Sequence, residues 1–387
     1  MLRTFAVSNY RSLRELRLSP QPLTVITGAN GCGKSNLYRA LRMLQHAADG
    51  TLAEALANEG GTSSVQWAGP ADARSQHRRG LKAQGTARRE PLRIAFGVAT
   101  DDWAYELALG ISAGGNPVLE GSRFKLDPEI KSEYVWHAPP RRRANTWLER
   151  DGQRVSLRDG DGAWTVLGYS PSTSRSVLSQ IGEPERFPEL LAVRETFRRW
   201  RFYDGFRTDA ESPLRQPRVS VQTEALAGDG RDLAAALQTI VEIGDADALA
   251  DAIADAFEGS QLAILGDDAR LQVGLSVDGL LRPLTAAELS DGTLRYFCLL
   301  AALLSPRPPP LLVLNEPEQS LHPDLLLPLA RQIVATAKRT QVWVISHAPA
   351  LVRAISDVGR QDALVLVRQA GETRVQGQGL LDEPVWP

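Results

Sequence analysis

The segment GANGCGKS, Gly28 to Ser35, lies between the apolar run LTVIT (Leu23 to Thr27) and the helix-forming stretch NLYRALRMLQ. Strand, glycine-rich loop and helix must therefore follow one another within a few residues. The G-x-x-x-x-G-K-S spacing has a physical reason. Gly28, Gly31 and Gly33 let backbone N–H groups close around phosphate oxygens, and the N-terminus of the following helix adds its partial positive charge. Lys34 then reaches the β- and γ-phosphates of a nucleoside triphosphate, and the Ser35 hydroxyl coordinates magnesium. The feature predicts an α/β chain that binds a triphosphate.

Length and composition narrow the class. A chain of 387 residues with 43% hydrophobic content can bury one large core or two smaller ones, so a soluble globular protein is expected. No apolar stretch approaches the roughly 20 residues that cross a bilayer, because Pro306 ends one run and Pro328 and Arg331 break another. The opening MLRTFAVSNYRS carries charges where a secretion signal needs an apolar core. With only Cys32 and Cys298, a disulfide framework or cysteine-rich metal site is excluded, and a reducing cytoplasm fits. A net charge of −2 argues against a uniformly basic nucleic-acid glove. Local clusters exist: Arg78-Arg79, Arg88-Arg89, Arg141-Arg142-Arg143 and Arg198-Arg199-Trp200-Arg201. They read either as phosphate-contacting surface or as the compositional bias of an arginine-rich chain.

Along the chain, LRTFAVSN and LRELRLS read as two strands around the turn NYRS, and they lead into the loop's own strand. The polar, glycine-rich segment 49–91 reads as largely loop. LRIAFGVA and WAYELALGI alternate as a hairpin around Asp101-Asp102. From Asn116 to Trp200 the pattern is irregular, with a β-turn-β at 152–169 and a helix at 188–200, and the segment reads as an insertion or lid. RFYDGF reads as a strand returning to the core sheet. RDLAAALQTIVEIG and ADALADAIADAF read as helices, and QLAILGD and RLQVGLSV as a strand pair. No repeat and no sustained heptad pattern runs through the middle.

The C-terminal third carries the remaining chemistry. The run LLVL ends in NEPEQSLHP, so a buried parallel-type strand delivers Asn315 and Glu316 to the sheet's carboxyl edge, where nucleotide sites of open α/β sheets lie. Glu316 is the candidate general base on the attacking water. A second buried strand, QVWVIS, ends in His347, which can hydrogen-bond the γ-phosphate or orient that water. Between them, ELSDGTLRYFCLLAAL opens an apolar helix on a Ser-Asp-Gly turn whose N–H groups and hydroxyl make a second anion-binding feature.

Together these pieces resemble the ATP-binding cassette ATPases of the RecF/SMC branch, nearest the stand-alone bacterial RecF-like ATPases that carry an AAA label. GANGCGKSN resembles Walker A, LSDGT the signature, LLVLNE Walker B, SLHP the D-loop and ISHAP the switch-histidine segment. The resemblance covers roughly 1–115 and 200–370. It implies a P-loop fold of ABC type: a mixed central sheet flanked by helices, with an N-terminal antiparallel β subdomain and an inserted lid. The implied domains are a head part with Walker A (1–115), the insertion (116–200) and a head part with signature, Walker B and switch histidine (201–387).

The resemblance also implies an ATP hydrolase that uses ATP and Mg²⁺, with Glu316, His347 and Lys34 as catalytic residues. Asn30, Gly31, Gly33, Lys34, Ser35, Asn36 and, through the NYRS turn, Arg11 would contact the nucleotide. Ser290 and Gly292 would touch the γ-phosphate held by a second copy of the chain, making ATP the glue of a homodimer. Metal contacts would come from Ser35, Asn315 and Gln66, the last as Q-loop residue. Asn315 departs from the usual Walker B aspartate and brings no negative charge to a hard cation. The long gap between loop and signature fits a head with an insertion, the missing heptads exclude a coiled-coil arm, and the few residues after His347 leave no room for a nuclease domain. Two functions remain open: a DNA-associated clamp for repair or genome maintenance, with Arg141 to Arg143 and Arg198 to Arg201 on phosphates, or an ATP-gated switch for a separate effector such as a nuclease in a defence system. No membrane partner is expected.

Overall fold

The computed structural model describes residues 1–69, 92–111, 123, 127–167, 171–267, 269–379 and 382–386. They form two compact units: residues 1–21, 28–200 and 365–387, and residues 22–27 and 201–364.

The first unit is built on an eight-stranded antiparallel sheet. In spatial order its strands are Leu13–Leu18, Leu2–Tyr10, Ile94–Thr100, Trp103–Ile111, Pro128–His137, Thr146–Asp151, Arg154–Arg158 and Trp164–Val166. Sequential pairing is what short polar turns between alternating apolar runs dictate, and the hairpin at Asp101-Asp102 forms with Ala99 opposite Ala104. Within the stretch read as an insertion, the described residues extend this sheet by four strands. They add the helices Val177–Gln180 and Pro188–Arg198.

The helix Lys34–Asp49 buries Leu37, Leu41, Leu44 and Ala48 at spacings of three and four, and it ends where Gly50 adopts the left-handed conformation. The stretch after it is not all loop. Leu52, Ala55 and Leu56, spaced three and four apart, bury one side of the helix Leu52–Asn58, and Thr62–Val65 forms a single turn. The rest of that expected loop, 70–91, lies outside the described residues. A C-terminal hairpin of strands Leu364–Gln369 and Glu372–Val375 completes the unit.

The second unit contains the parallel strands Arg201–Tyr203, Leu311–Asn315, Gln341–Ile345 and Leu23–Gly28, adjacent in that order. LLVL and QVWVI are continuous apolar runs because both faces of such strands are covered by helices. Leu237, Ile240, Leu294, Phe297, Leu300, Ile333, Leu351 and Ile355, from four helices, share one core with Leu312, Leu314, Val342, Val344 and Val25 of the strands. A small antiparallel sheet of Arg218–Val219, Arg270–Val277 and Ser260–Gly266 completes the unit. No helix among the described residues is long and apolar enough to cross a membrane.

Candidate functional site

The glycine-rich loop is folded tightly in the first unit. Gly33 has φ +112°, a conformation that side chains rarely adopt, and a Cβ there would stand 2.0 Å from Thr373 Oγ1 and 2.9 Å from Ser12 Oγ. Those two hydroxyls are part of the loop's support. Thr373 Oγ1 donates to the Cys32 carbonyl at 2.7 Å and lies 2.7 Å from Ser12 Oγ, which accepts from Asn36 Nδ2 at 2.8 Å. Lys34 is buried, and its ammonium donates to the carbonyls of Gly28 (2.6 Å) and Ala29 (3.2 Å). Asn30, Gly31 and Ser35 form an exposed rim. A cradle that a methyl group would fill, a lysine over it and a helix N-terminus behind it fit a chain of phosphates.

In the second unit three strand ends meet at one edge. Asn315 pairs with Ile345, and Ile345 with Ile26, so the parallel register sets the carboxyl ends of all three strands side by side. The residue after Asn315 is turned sharply: Glu316 has φ +50°, and its N–H donates to the Ile345 carbonyl at 2.7 Å. A side chain in the left-handed region costs roughly 1–2 kcal/mol. The turn leaves the Glu316 carboxylate half-buried, with Oε1 3.3 Å from His347 Nδ1. This acid–imidazole pair can hold and orient a water. Among the described residues no group of three His, Cys, Asp or Glu could hold a metal ion. The exposed Ser35 hydroxyl of the first unit is a neutral oxygen donor that brings no charge of its own, which suits magnesium carried mainly by phosphate and water.

The Ser-Asp-Gly turn also lies in the second unit. Ser290 caps the helix Asp291–Leu303, its Oγ accepting from the Thr293 N–H at 3.1 Å. Arg215 clamps the turn from below, donating to the carbonyls of Ala286 and Leu289 and to Asp291 Oδ1. A Cβ on Gly292 would sit 2.8 Å from the backbone oxygen of Ser320, itself at φ +64°. Arg295 donates to the Gln319 carbonyl at 2.8 Å. The signature turn and the SLHP segment are thus stitched together, and they flank an open cleft of about 770 Å³ lined also by Phe257 and His322.

The family model described as "AAA domain, putative AbiEii toxin, Type IV TA system" matches residues 23–353. The chain belongs to that AAA family. No curated protein matches it in sequence. Among solved structures, an Smc head bound to the C-terminal winged-helix domain of ScpA is similar at 12% identity and TM-score 0.51, with 98% of each chain covered. The SMC head domain from Thermotoga maritima aligns at 16% identity and TM-score 0.44, over 98% of this chain and 99% of that one. The first likeness is one of fold. The AAA-family chain has the ABC-type ATPase fold of an SMC head, as the motifs led us to expect.

Other residues singled out in this AAA-family chain are held in ways the sequence did not announce. The Arg11 guanidinium, expected near phosphate, is paired with Glu59 at 2.8 Å, and Tyr10 donates to the same carboxylate at 2.6 Å. Gln66 Nε2 donates to the Leu92 carbonyl, and Gln66 bridges to Tyr10 in an isolated ladder step. Arg141, Arg142 and Arg143 are exposed, Arg141 stacking 3.6 Å over the Tyr134 ring and Arg143 lying 5.8 Å from that of Trp164. Arg198 is engaged by Asp49 and Glu195. Arg78, Arg79, Arg88 and Arg89 lie outside the described residues. Thr373 and Glu318 were missed. The hydroxyl has no motif around it, whereas the second acid of NEPE stood in plain view.

Proposed function

We propose that the chain binds ATP with Mg²⁺, hydrolyses it and dimerises on it, and that the closed dimer acts on DNA in the cytoplasm. The observation that carries this reading is the phosphate cradle, with Gly33 packed on Thr373 and Lys34 drawn over the loop carbonyls. Lys34 exchanges those carbonyls for β- and γ-phosphate oxygens, and the rim residues Asn30, Gly31 and Ser35, with the backbone of Asn36, add donors. Arg11 reaches phosphate only by leaving Glu59. Ser35, Asn315 and Gln66 would be the residues to hold Mg²⁺ through neutral oxygens, and the ion would supply positive charge to the phosphates. Glu316, oriented by His347, takes the proton of the attacking water. Ser290 and Gly292 contact the γ-phosphate held by a second copy, so hydrolysis loosens the pair.

The test is the mass of Glu316→Gln in solution with ATP, with and without duplex DNA. A dimer that forms with ATP and not with Lys34→Ala supports the reading, and a monomer under all conditions overturns it. The exposed arginines 141–143 favour DNA as the target. The family's toxin–antitoxin description favours a second reading, an ATP-gated switch that holds a separate effector protein. Salt separates them: a clamp's ATP-dependent DNA affinity falls steeply with log salt, whereas a protein switch has little DNA affinity to lose.

A further inference from the structure

Glu318, the second acid of NEPE, sits beside the Glu316–His347 pair and is only 9% exposed. One of its oxygens does all its bonding. Oε1 accepts from the Ser346 hydroxyl at 2.7 Å and from the backbone N–H groups of His347 and Ala348 at 3.2 Å each. The same oxygen lies 3.6 Å from His347 Nδ1, while Oε2 has no hydrogen-bond partner among the described residues. Both carboxylates thus lie near the same nitrogen of the His347 ring, Glu316 at 3.3 Å and Glu318 at 3.6 Å from Nδ1.

A buried carboxylate with an unsatisfied oxygen is costly, and a neutral cap would close the turn without that cost. Serine or asparagine would accept the same backbone N–H groups. What the carboxylate adds is a negative charge beside Nδ1 of the imidazole and one anchor shared by two strand ends. The turn after Leu311–Asn315 and the turn after Gln341–Ile345 are joined through this oxygen.

We propose that Glu318 is a positioning residue of the hydrolytic site: it fixes the Ser346–Ala348 turn and draws the His347 ring into register with Glu316, without touching the nucleotide. This rests on the ATPase reading above. Glu318 then sets how well the water is oriented and leaves how tightly ATP is held unchanged.

The experiment compares Glu318→Ala, Glu318→Gln, His347→Ala and the double variant Glu318→Ala/His347→Ala. In Glu318→Ala, kcat falls on the order of 10- to 100-fold, as for outer-shell partners elsewhere, with KM for ATP within about twofold. Glu318→Gln keeps an acceptor for the three donors but removes the charge beside the ring, and it recovers only part of the loss. The double variant is no slower than His347→Ala, because both changes act through one ring. Losses that multiply, or a kcat unchanged in Glu318→Ala, overturn the proposal. A second readout needs no turnover. The chain has five histidines, so the His347 ring signal can be assigned by its disappearance in His347→Ala. That signal shifts or broadens in Glu318→Ala and moves less in Glu318→Gln, which keeps the turn but not the charge. An unmoved signal in Glu318→Ala overturns the proposal even if wild-type protein hydrolyses no ATP. Absent wild-type turnover, by contrast, counts against the ATPase reading alone.

Discussion

Replacing Gly33 by alanine tests why the phosphate cradle has its shape. The new Cβ would lie 2.0 Å from Thr373 Oγ1, so the threonine must rotate and give up its hydrogen bonds to the Cys32 carbonyl and to Ser12. Two such bonds are worth about 0.5–1.5 kcal/mol each. Holding alanine at φ +112° adds roughly 1–2 kcal/mol. The expected total is about 2–5 kcal/mol, which appears as lost stability, or as an ATP affinity weakened about 30- to 4,000-fold where the loop yields instead. The assay is urea unfolding and titration with a fluorescent ATP analogue for Gly33→Ala, Thr373→Ala and the double variant. Thr373→Ala removes the clashing hydroxyl but leaves a Cβ 3.0 Å away. The double variant should therefore cost at least about 1 kcal/mol less than the two single costs combined. Costs that add to within about 0.5 kcal/mol would refute the reasoning, because contacting residues that share a clash must couple.

Further outcomes follow from the other parts of the site. Asn315→Asp restores a charge facing the metal and should lower the magnesium needed for half-maximal hydrolysis on the order of tenfold; an unchanged magnesium dependence rules the idea out. Ser290→Arg should leave single-chain ATP binding intact and abolish the ATP-dependent dimer, and normal hydrolysis by this variant would end the role of the signature across two copies. Burial alone would raise the Glu372 carboxyl, but hydrogen bonds from Arg14 and Arg374 hold it below the ordinary glutamate range. A depressed folded-state pKa contributes stability that is present above the unfolded value and lost as pH falls through the folded one. Glu372→Gln should therefore be less stable than wild type at neutral pH, with the difference closing below the ordinary glutamate range; a difference independent of pH there would show that the ion pairs are not its source.

The elements that carry the site were legible because their signals are local. The loop, its strand and its helix span Leu23 to Asp49, and the runs LLVL and QVWVI announce buried parallel strands without reference to anything else. The stretch after Asn116 looked irregular for a reason found in the core. Glu133 and Arg150 are fully buried in adjacent strands, Glu133 accepting from Tyr105 and Ser176 and Arg150 donating to three carbonyls. Two charges at core positions break the apolar alternation by which a strand is read. Thr373 was invisible because its partner in the loop is hundreds of residues away.

Strain was invisible for a different reason. A left-handed backbone is signalled in sequence by glycine, and Gly31 and Gly33 could be read that way. Glu316 and Ser320 adopt φ +50° and +64° with no such signal. At 316 a glycine would relieve the backbone but remove the carboxylate, which lies 3.3 Å from His347 Nδ1 on a bent backbone held by the Ile345 carbonyl. A residue chosen for its side chain, in a conformation that disfavours side chains, persists only where the surrounding structure over-determines it. Here the support is the parallel register that sets Asn315 beside Ile345 and the Glu318 bonds that pin the neighbouring turn. The sequence showed which acid was present; only the packing of two strand ends shows why it points where it does.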